Sequence, residues 1–223
     1  LPTPSIANVL GNSVDEYVAA SRILSGQDGL AGIERNISCP NVTAGGIHFA
    51  TDPAQTARVT EAVRQAIGAF PLIVKLSPNV TDIVAFAAAC QDAGADAVSL
   101  VNTFVGLAID VESLKPRLAN VTGGLSGPAI KPLAQRMVWE ITRRLSIPVI
   151  GIGGIMTAAD ALEYLALGAK AVQIGTANYV NPAVAVEILG GIEEYLERHR
   201  YPNAASFCGA FLRVHATTTG GVR

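Results

Sequence analysis

The stretch Val149-Ile-Gly-Ile-Gly-Gly154 decides the fold, because it is a short apolar strand that ends in paired glycines. A continuous Val/Ile run without polar alternation is typical of a parallel strand buried on both faces. The pattern returns one unit later, where Val172-Gln-Ile-Gly-Thr-Ala177 places Gly175-Thr176 at a strand end. In many βα-barrels the loops after the last two strands bind phosphate. Two consecutive strand ends of this kind favour a barrel over an open doubly wound sheet.

Outward from this pair, β-type runs alternate with amphipathic helices. Six runs are predicted to be strands: Ser5–Val9, Gly32–Ser38, Leu72–Leu76, Ala97–Asn102, Val149–Ile152 and Ala171–Ile174. This alternation implies a parallel sheet with right-handed crossovers. A closed barrel has eight strands and ~250 residues. We therefore predict an α/β fold, a TIM (βα)8 barrel lacking about its first two βα units.

Local signals place the helix ends. Four helix starts are predicted from their capping residues, Ser13, Asp52, Thr81 and Thr157. Gly94-Ala-Asp-Ala-Val98 and Gly168-Ala-Lys-Ala-Val172 repeat one helix-end, tight-turn and strand-start segment. The rhythm fades after about His199, so residues 1–198 are predicted to form the barrel domain and residues 199–223 a C-terminal tail, in which Thr217-Thr-Thr-Gly-Gly221 is predicted to be loose.

Composition excludes several classes of protein. Half of the 223 residues are hydrophobic, net charge is −2, and no long run of one sign occurs. This balance argues against nucleic acid or an anionic membrane surface as a partner. No apolar stretch is long enough to span a bilayer. The three cysteines, Cys39, Cys90 and Cys208, have neither disulfide nor zinc spacing. A reducing, cytoplasmic location is therefore expected.

The glycine-rich strand ends predict an anion site at Gly153, Gly154, Gly175 and Thr176. Glycine lets backbone N–H groups approach a phosphate closely, and a following helix adds a favourable dipole. A single Gly-Gly pair is equally consistent with a tight turn, but two in succession favour phosphate. No G-x-G-x-x-G follows a strand and opens a helix, which argues against a Rossmann domain.

The segment Asn36-Ile-Ser-Cys-Pro-Asn41 puts two amides, a hydroxyl and a thiol just past a strand. Active sites of βα-barrels lie at these strand ends. A thiol on a loop over the cleft can reach a substrate, whereas a buried, inert cysteine is the structural alternative for Cys39. Cys90 lies inside a helical run, where core packing explains it better.

Three further polar or glycine-rich positions follow strands. Lys75 ends an apolar strand, which is costly unless its amine reaches the barrel rim, a flavin or an anionic substrate. Asn102-Thr103 ends the next strand, where loop capping is the alternative role. Gly123-Gly-Leu-Ser-Gly127 is predicted to be a glycine-rich loop, either lining a flat ring or permitting a turn.

Together these motifs resemble the class 1 dihydroorotate dehydrogenases over roughly residues 1–198. The matching segments, in the family's order, are Asn36-Ile-Ser-Cys-Pro-Asn-Val42, Gly45-Gly46, Val74-Lys-Leu-Ser-Pro-Asn79, Val101-Asn-Thr103, Gly123-Gly-Leu-Ser-Gly-Pro-Ala-Ile-Lys-Pro132, Gly151-Ile-Gly-Gly-Ile155 and Gln173-Ile-Gly-Thr-Ala177. The first and fifth segments look most like class 1B. The family's first strands, with further flavin and substrate contacts, have no counterpart here, which leaves open the activity of this chain by itself.

The resemblance implies a role for each site residue. Cys39 would remove the C5 proton of dihydroorotate while C6 gives a hydride to FMN, forming orotate in de novo pyrimidine biosynthesis. The substrate would be held by Asn36, Asn41, Asn102 and Thr103. Lys75 would contact the flavin ring, and the flavin and its phosphate would be held by Gly127, Gly153, Gly154, Gly175 and Thr176. No protein metal ligand is implied.

The class 1B resemblance also implies partners. Such enzymes pair a homodimer of FMN subunits with a second subunit that carries FAD and a 2Fe–2S cluster, and they reduce NAD. Class 1A enzymes are homodimers that use fumarate. Two other classes compete. One is a flavin barrel like that of dihydropyrimidine dehydrogenase, which shares the Asn-x-Ser-Cys-Pro pattern. The other is a non-redox phosphate-binding barrel, which leaves Cys39 unexplained.

Overall fold

The computed structural model describes residues 3–37 and 52–215. Its strands are β1 (Ser5–Val9), β2 (Leu30–Asn36), β3 (Leu72–Lys75), β4 (Ala97–Leu100), β5 (Phe104–Leu107), β6 (Ile109–Asp110), β7 (Lys115–Pro116), β8 (Thr122–Leu125), β9 (Val149–Ile152) and β10 (Ala171–Gln173). Its helices are α1 (Val14–Ser25), α2 (Pro53–Ile67), α3 (Ile83–Asp92), α4 (Lys131–Thr142), α5 (Ala158–Ala166), α6 (Ala177–Val180), α7 (Val184–Arg198), α8 (Ala204–Phe207) and α9 (Ala210–His215). A 3-10 turn, Pro128–Ile130, precedes α4.

All six predicted strands form, with ends within two residues of the predicted ones. They make one parallel sheet in the order β1-β2-β3-β4-β9-β10. Helices from the crossovers cover its outer face, and the largest core cluster includes Val74, Val98 and Val149 from three neighbouring strands. The prediction of parallel βα units is therefore confirmed.

The sheet is curled into a partial barrel. Strands β2 and β10 are four neighbours apart, so a flat sheet would separate them by about 19 Å at about 4.8 Å per step. The side chains of Glu34 on β2 and Gln173 on β10 nevertheless share a 2.6 Å hydrogen bond. Only a sheet that curves back on itself allows this contact. Six curled parallel strands fit the predicted partial (βα)8 barrel.

Capping residues fix most helix starts as predicted. Ser13, Asp52 and Thr157 each accept a hydrogen bond from a backbone N–H of the first turn of their helix. The prediction for α3 was wrong by one residue, because Asp82 and not Thr81 is the cap. The Asp82 carboxylate accepts hydrogen bonds from the backbone N–H groups of Val84 and Ala85.

The two similar segments, Gly94–Val98 and Gly168–Val172, have the same backbone conformation and hydrogen bonding, as their sequences predict. Gly94 and Gly168 both have positive φ, 86° and 99°, as expected for glycines that end helices. The next residue, Ala95 or Ala169, donates back to a carbonyl of the preceding helix. One helix-to-strand junction is therefore used twice.

Two parts of the chain differ from the sequence predictions. Strands β5 and β8 pair antiparallel beyond β4, and β6 pairs with β7. Gly123 and Gly124 are consequently strand residues, so the predicted glycine-rich loop was wrong up to Leu125. The predicted tail contains two helices that were not predicted, α8 and α9, and Phe207 of α8 packs in a hydrophobic cluster, whereas the stretch Thr217–Gly221 lies outside the described residues.

No helix in the ranges 3–37 and 52–215 is long and apolar enough to cross a membrane.

Candidate active site

A cleft opens at the carboxyl ends of the barrel strands. It is lined by segments that follow β3, β4, β8, β9 and β10, namely Lys75, Val101, Asn102, Thr103, Ser126, Gly127, Ile130, Ile152, Gly153, Gly154, Ile155, Met156, Gln173, Gly175, Thr176 and Tyr179. This is the face on which βα-barrel enzymes place their chemistry. A larger apolar groove between α4, α5 and Phe211 lies on the outer wall and contains no predicted site residue.

Most of the predicted site residues meet in this cleft. Those that line it are Lys75, Asn102, Thr103, Gly127, Gly153, Gly154, Gly175 and Thr176. Asn36, the last residue of β2, lies beside them, because its Oδ1 accepts a 3.1 Å hydrogen bond from Asn102 Nδ2. Cys39 and Asn41 lie outside the described residues.

The loop after β9 requires both of its glycines. Gly153 and Gly154 have φ of 132° and 68°, which side-chain-bearing residues rarely adopt. A Cβ on Gly154 would also lie 2.7 Å from Lys131 Cβ. The Tyr164 hydroxyl donates a 2.6 Å hydrogen bond to the Gly153 carbonyl, and burial raises the pKa of Tyr164, so this donor keeps its proton. The loop is thus held rigidly in a conformation that only glycine tolerates.

Three glycine-containing loops converge. The Thr176 hydroxyl donates to Ser126 Oγ at 2.9 Å, which ties the loop after β10 to the one after β8. Within the described part of the chain, the backbone N–H groups of Gly154, Gly175 and Thr176 donate no hydrogen bond. A Cβ on Gly175 would meet no atom within 4 Å. The three residues therefore offer open donors, and Gly175 also has space beside it, as a phosphate-binding loop needs.

The polar end of β4 is held by neighbouring loops. Asn102 Oδ1 accepts from the backbone N–H of Thr103 at 2.8 Å. Asn79 donates from its side chain to the Thr103 carbonyl and accepts from the Val105 N–H, at 3.1 and 3.0 Å. Asn79 was not predicted to have a role. Its two contacts fix the backbone that presents Asn102 and Thr103 to the cleft.

The carboxylate beneath the cleft, Glu34, was not predicted from the sequence. It is 4% exposed and accepts hydrogen bonds of 2.6 Å from each of three side chains, Asn8, Ser99 and Gln173. Lys75 Nζ lies 3.9 Å from its second oxygen. The signal was available, because a charge within an apolar strand is costly without partners, and this reasoning singled out Lys75 but not Glu34.

The comparisons with known proteins agree with this arrangement. Residues 2–196 match the family model described as dihydroorotate dehydrogenase. The chain therefore belongs to the dihydroorotate dehydrogenase family.

Within the family, the chain is similar to proteins named dihydroorotate dehydrogenase B (NAD(+)), catalytic subunit, which confirms the class 1B resemblance. It is 54% identical over 208 residues to the one from Pelobacter propionicus and 56% identical to the one from Trichlorobacter lovleyi. Each match covers 93% of this chain and 68% of the relative.

Among solved structures, the chain resembles the dihydroorotate dehydrogenase of Eimeria tenella crystallised with ferulenol, with a TM-score of 0.77 and 21% identity. The match covers 92% of this chain and 59% of that one. At this identity the likeness shows the shared fold, and it confirms the barrel. The chain spans less than two thirds of that structure.

Proposed function

We propose that this chain is the catalytic part of an enzyme that oxidises dihydroorotate to orotate, a step of de novo pyrimidine biosynthesis, with FMN as cofactor. The observation that carries the proposal is the cleft, where eight residues predicted from sequence meet at the carboxyl ends of the strands. Membership of the dihydroorotate dehydrogenase family supports the same reaction.

The cleft suits FMN at both of its ends. Gly127, Gly153, Gly154, Gly175 and Thr176 would hold the phosphate with backbone N–H groups. Lys75 would place its ammonium against the flavin ring, since its amine lies in the cleft and its side chain is 19% exposed. When bound, FMN supplies the hydride acceptor of the reaction.

The substrate would lie against the amides and hydroxyl at the ends of β2 and β4. Asn36, Asn102 and Thr103 would hold the pyrimidine ring and its carboxylate, together with Asn41. Cys39 would take the C5 proton as the C6–H bond gives up its hydride, so a C5–C6 double bond forms. A cysteine base requires a pKa near the working pH and a cleft closed to water.

The expected assembly follows from the relatives' name, catalytic subunit. We propose a cytoplasmic homodimer that passes electrons to a subunit carrying FAD and a 2Fe–2S cluster, with NAD as final acceptor. The pairs β5–β8 and β6–β7 support an interface, because they expose apolar side chains such as Val105, Leu107 and Ile109, each more than half exposed. Co-purification with a second subunit tests this; a homodimer alone with fumarate-linked turnover contradicts it.

The reaction is tested by adding dihydroorotate anaerobically to the purified natural full-length protein and following flavin absorbance. Rapid bleaching, much slowed by Cys39→Ala, is expected. Bound flavin that bleaches with dihydrouracil and not with dihydroorotate would indicate a dihydropyrimidine dehydrogenase-like enzyme. Folded protein that binds no flavin would indicate a non-redox phosphate-binding barrel.

Phosphate binding has its own matched pair of variants. Gly175→Ala adds a methyl group that meets no protein atom within 4 Å, so the fold should tolerate it while the methyl occupies space beside the phosphate. Gly190→Ala in α7 adds an equally unhindered methyl group away from the cleft. FMN affinity should fall in the first variant and stay unchanged in the second. Equal affinity in both would place the phosphate elsewhere.

A further inference from the structure

The cleft floor rests on a carboxylate that the proposed chemistry does not use. Glu34 Oε1 accepts from Ser99 Oγ and Gln173 Nε2, and Oε2 accepts from Asn8 Nδ2. Its side chain is 6% exposed, against 19% for that of Lys75, so Glu34 lies one layer deeper. These contacts tie strand β2 to β1, β3, β4 and β10.

Two of these partners reach the cleft and two do not. Lys75 and Gln173 line it, whereas Ser99 is buried in the sheet and Asn8 lies on the exposed edge strand β1. A buried carboxylate is costly, and apolar packing often serves stability as well or better. Because two of its partners line the cleft, Glu34 is better explained by a role there, where it holds the Lys75 ammonium and the Gln173 amide.

We infer that Glu34 is a positioning residue that sets Lys75 and Gln173 for bound FMN. The inference rests on the proposed function. With its charge in place, Glu34 draws the Lys75 ammonium down to the floor at 3.9 Å. Without that charge, Lys75 has no anion beside it among the described residues and turns toward solvent.

Glu34→Gln isolates the charge. A glutamine carbonyl still accepts from Ser99 and Gln173, and Asn8 can rotate its amide to accept from the new NH₂ group. Only the attraction for Lys75 is lost. Ser99→Ala is the matched control, because it removes one hydrogen bond from Glu34 and leaves the charge, Lys75 and Gln173 unchanged.

The first readout needs no flavin. In the flavin-free, natural full-length protein, the acylation rate of the Lys75 amine is measured by peptide mass spectrometry. Glu34→Gln should accelerate labelling severalfold, and Ser99→Ala should not. Unchanged Lys75 labelling in Glu34→Gln would overturn the inference, whatever the protein binds.

The second readout is a double-mutant cycle on the FMN dissociation constant. Glu34→Gln should raise it roughly tenfold, as expected for one charge-assisted contact. The same change in a Lys75→Met background should have little further effect if Glu34 acts through Lys75. Independent, multiplying effects would overturn the inference while leaving the proposed function intact. Wild-type protein that binds no FMN would overturn both.

Discussion

Glu34 and Arg35 are adjacent on β2 and both are buried, yet they lie on opposite faces of the sheet in very different surroundings. Glu34 faces the barrel interior and has three hydrogen-bond donors and a lysine beside it. Arg35 faces the helices. Within the described part of the chain, its Nε and Nη1 have no partner. Glu34 is therefore a buried charge with polar partners beside the cleft, whereas Arg35 is a buried charge in the packing layer between sheet and helices.

The surroundings of Arg35 are poor in acceptors. Its Nη2 donates to Thr60 Oγ1 at 2.6 Å, and its guanidinium lies 5.8 Å from the centre of the Tyr17 ring. Burial lowers the pKa of Arg35 to about 10, with Cys90 and Tyr17 opposing that shift. Burial also raises the pKa of the nearby Cys90 thiol to about 11, so no thiolate offsets the charge at neutral pH. Among residues 3–37 and 52–215, no anion therefore compensates the Arg35 cation in the layer between sheet and helices.

The largest expected effect is on the interior side. Glu34→Ala removes the shared acceptor of three donors, of which Ser99 is fully buried, and leaves a void, so it should lower the free energy of unfolding by roughly 3–5 kcal/mol. Urea unfolding measures it. Glu194→Ala, an exposed glutamate of α7, is the control and should change stability by less than about 0.5 kcal/mol. If both variants lose less than about 0.5 kcal/mol of unfolding free energy, Glu34 contributes no more to stability than an exposed glutamate does.

A substitution on the other face of β2, at Arg35, is expected to increase stability instead of lowering it. Arg35→Met replaces a poorly partnered cation by an apolar side chain of similar length, so it should raise the free energy of unfolding by roughly 1–4 kcal/mol. Arg64→Met is the matched control, because Arg64 is bonded to Asp96 and to the carbonyls of Gly68, Phe70 and Gly94. The control should lose stability. A loss in both variants would mean that Arg35 is better satisfied than its contacts indicate.

The two neighbours also show what sequence can predict. Short apolar runs predict the strand positions. Lys75 was predicted to have a role because it is the one charged residue in an otherwise apolar run. Glu34 stands in Gly-Ile-Glu-Arg-Asn36, where three polar residues together read as a strand end. Its partners come from β1, β4 and β10, which only the curl of the sheet brings within reach. Strands β5 to β8 were missed for a similar reason, since two- and four-residue strands owe their form to their pairing.

The site was predicted best where its residues follow strands directly. Gly153, Gly154, Gly175 and Thr176 needed only a local pattern and a barrel, and they lie together. Asn79 acts through the backbone of another loop, which no local pattern reports. The roles of all the predicted site residues stay predictions, and Cys39 and Asn41 also lie outside the described residues.

A smaller effect tests how far Arg35 depends on its one close side-chain partner. Thr60→Val keeps the shape of the side chain and removes the hydroxyl that accepts from Arg35, so it should cost roughly 1–3 kcal/mol. In an Arg35→Met background the same change should cost clearly less, because that donor is gone. Urea unfolding of the four proteins gives the coupling. Equal costs in both backgrounds would show that Thr60 acts through its bond to the Thr56 carbonyl instead.

The smallest effect concerns a pair that is only partly exposed, with side-chain exposures of 25% for Lys131 and 15% for Asp160, and it tests whether burial rather than charge sets these costs. Lys131 Nζ lies 2.5 Å from Asp160 Oδ1, joining α4 to α5 behind the Gly154 loop. Burial alone would raise the pKa of Asp160, but hydrogen bonds from Lys131, Met156 and Thr157 together lower it. The hydrogen bonds that Lys131 donates to Asp160 and Glu163 raise the pKa of Lys131.

Each shift has its own pH window. A carboxyl with a lowered folded pKa stabilises the protein above its unfolded value, about 3.9, and that stability is lost as pH falls through the folded pKa. The raised pKa of Lys131 stabilises the protein below about 10.4, and that stability is lost as pH rises through the folded value. Asp160→Asn should therefore flatten the acid side of a plot of melting temperature against pH. The change should correspond to about 1 kcal/mol or less, because solvent screens the pair. If the melting temperature of Asp160→Asn falls with acid as steeply as that of the wild type, other carboxyls cause the acid destabilisation. If the substitution changes stability by much more than about 1 kcal/mol, the pair behaves like buried Glu34.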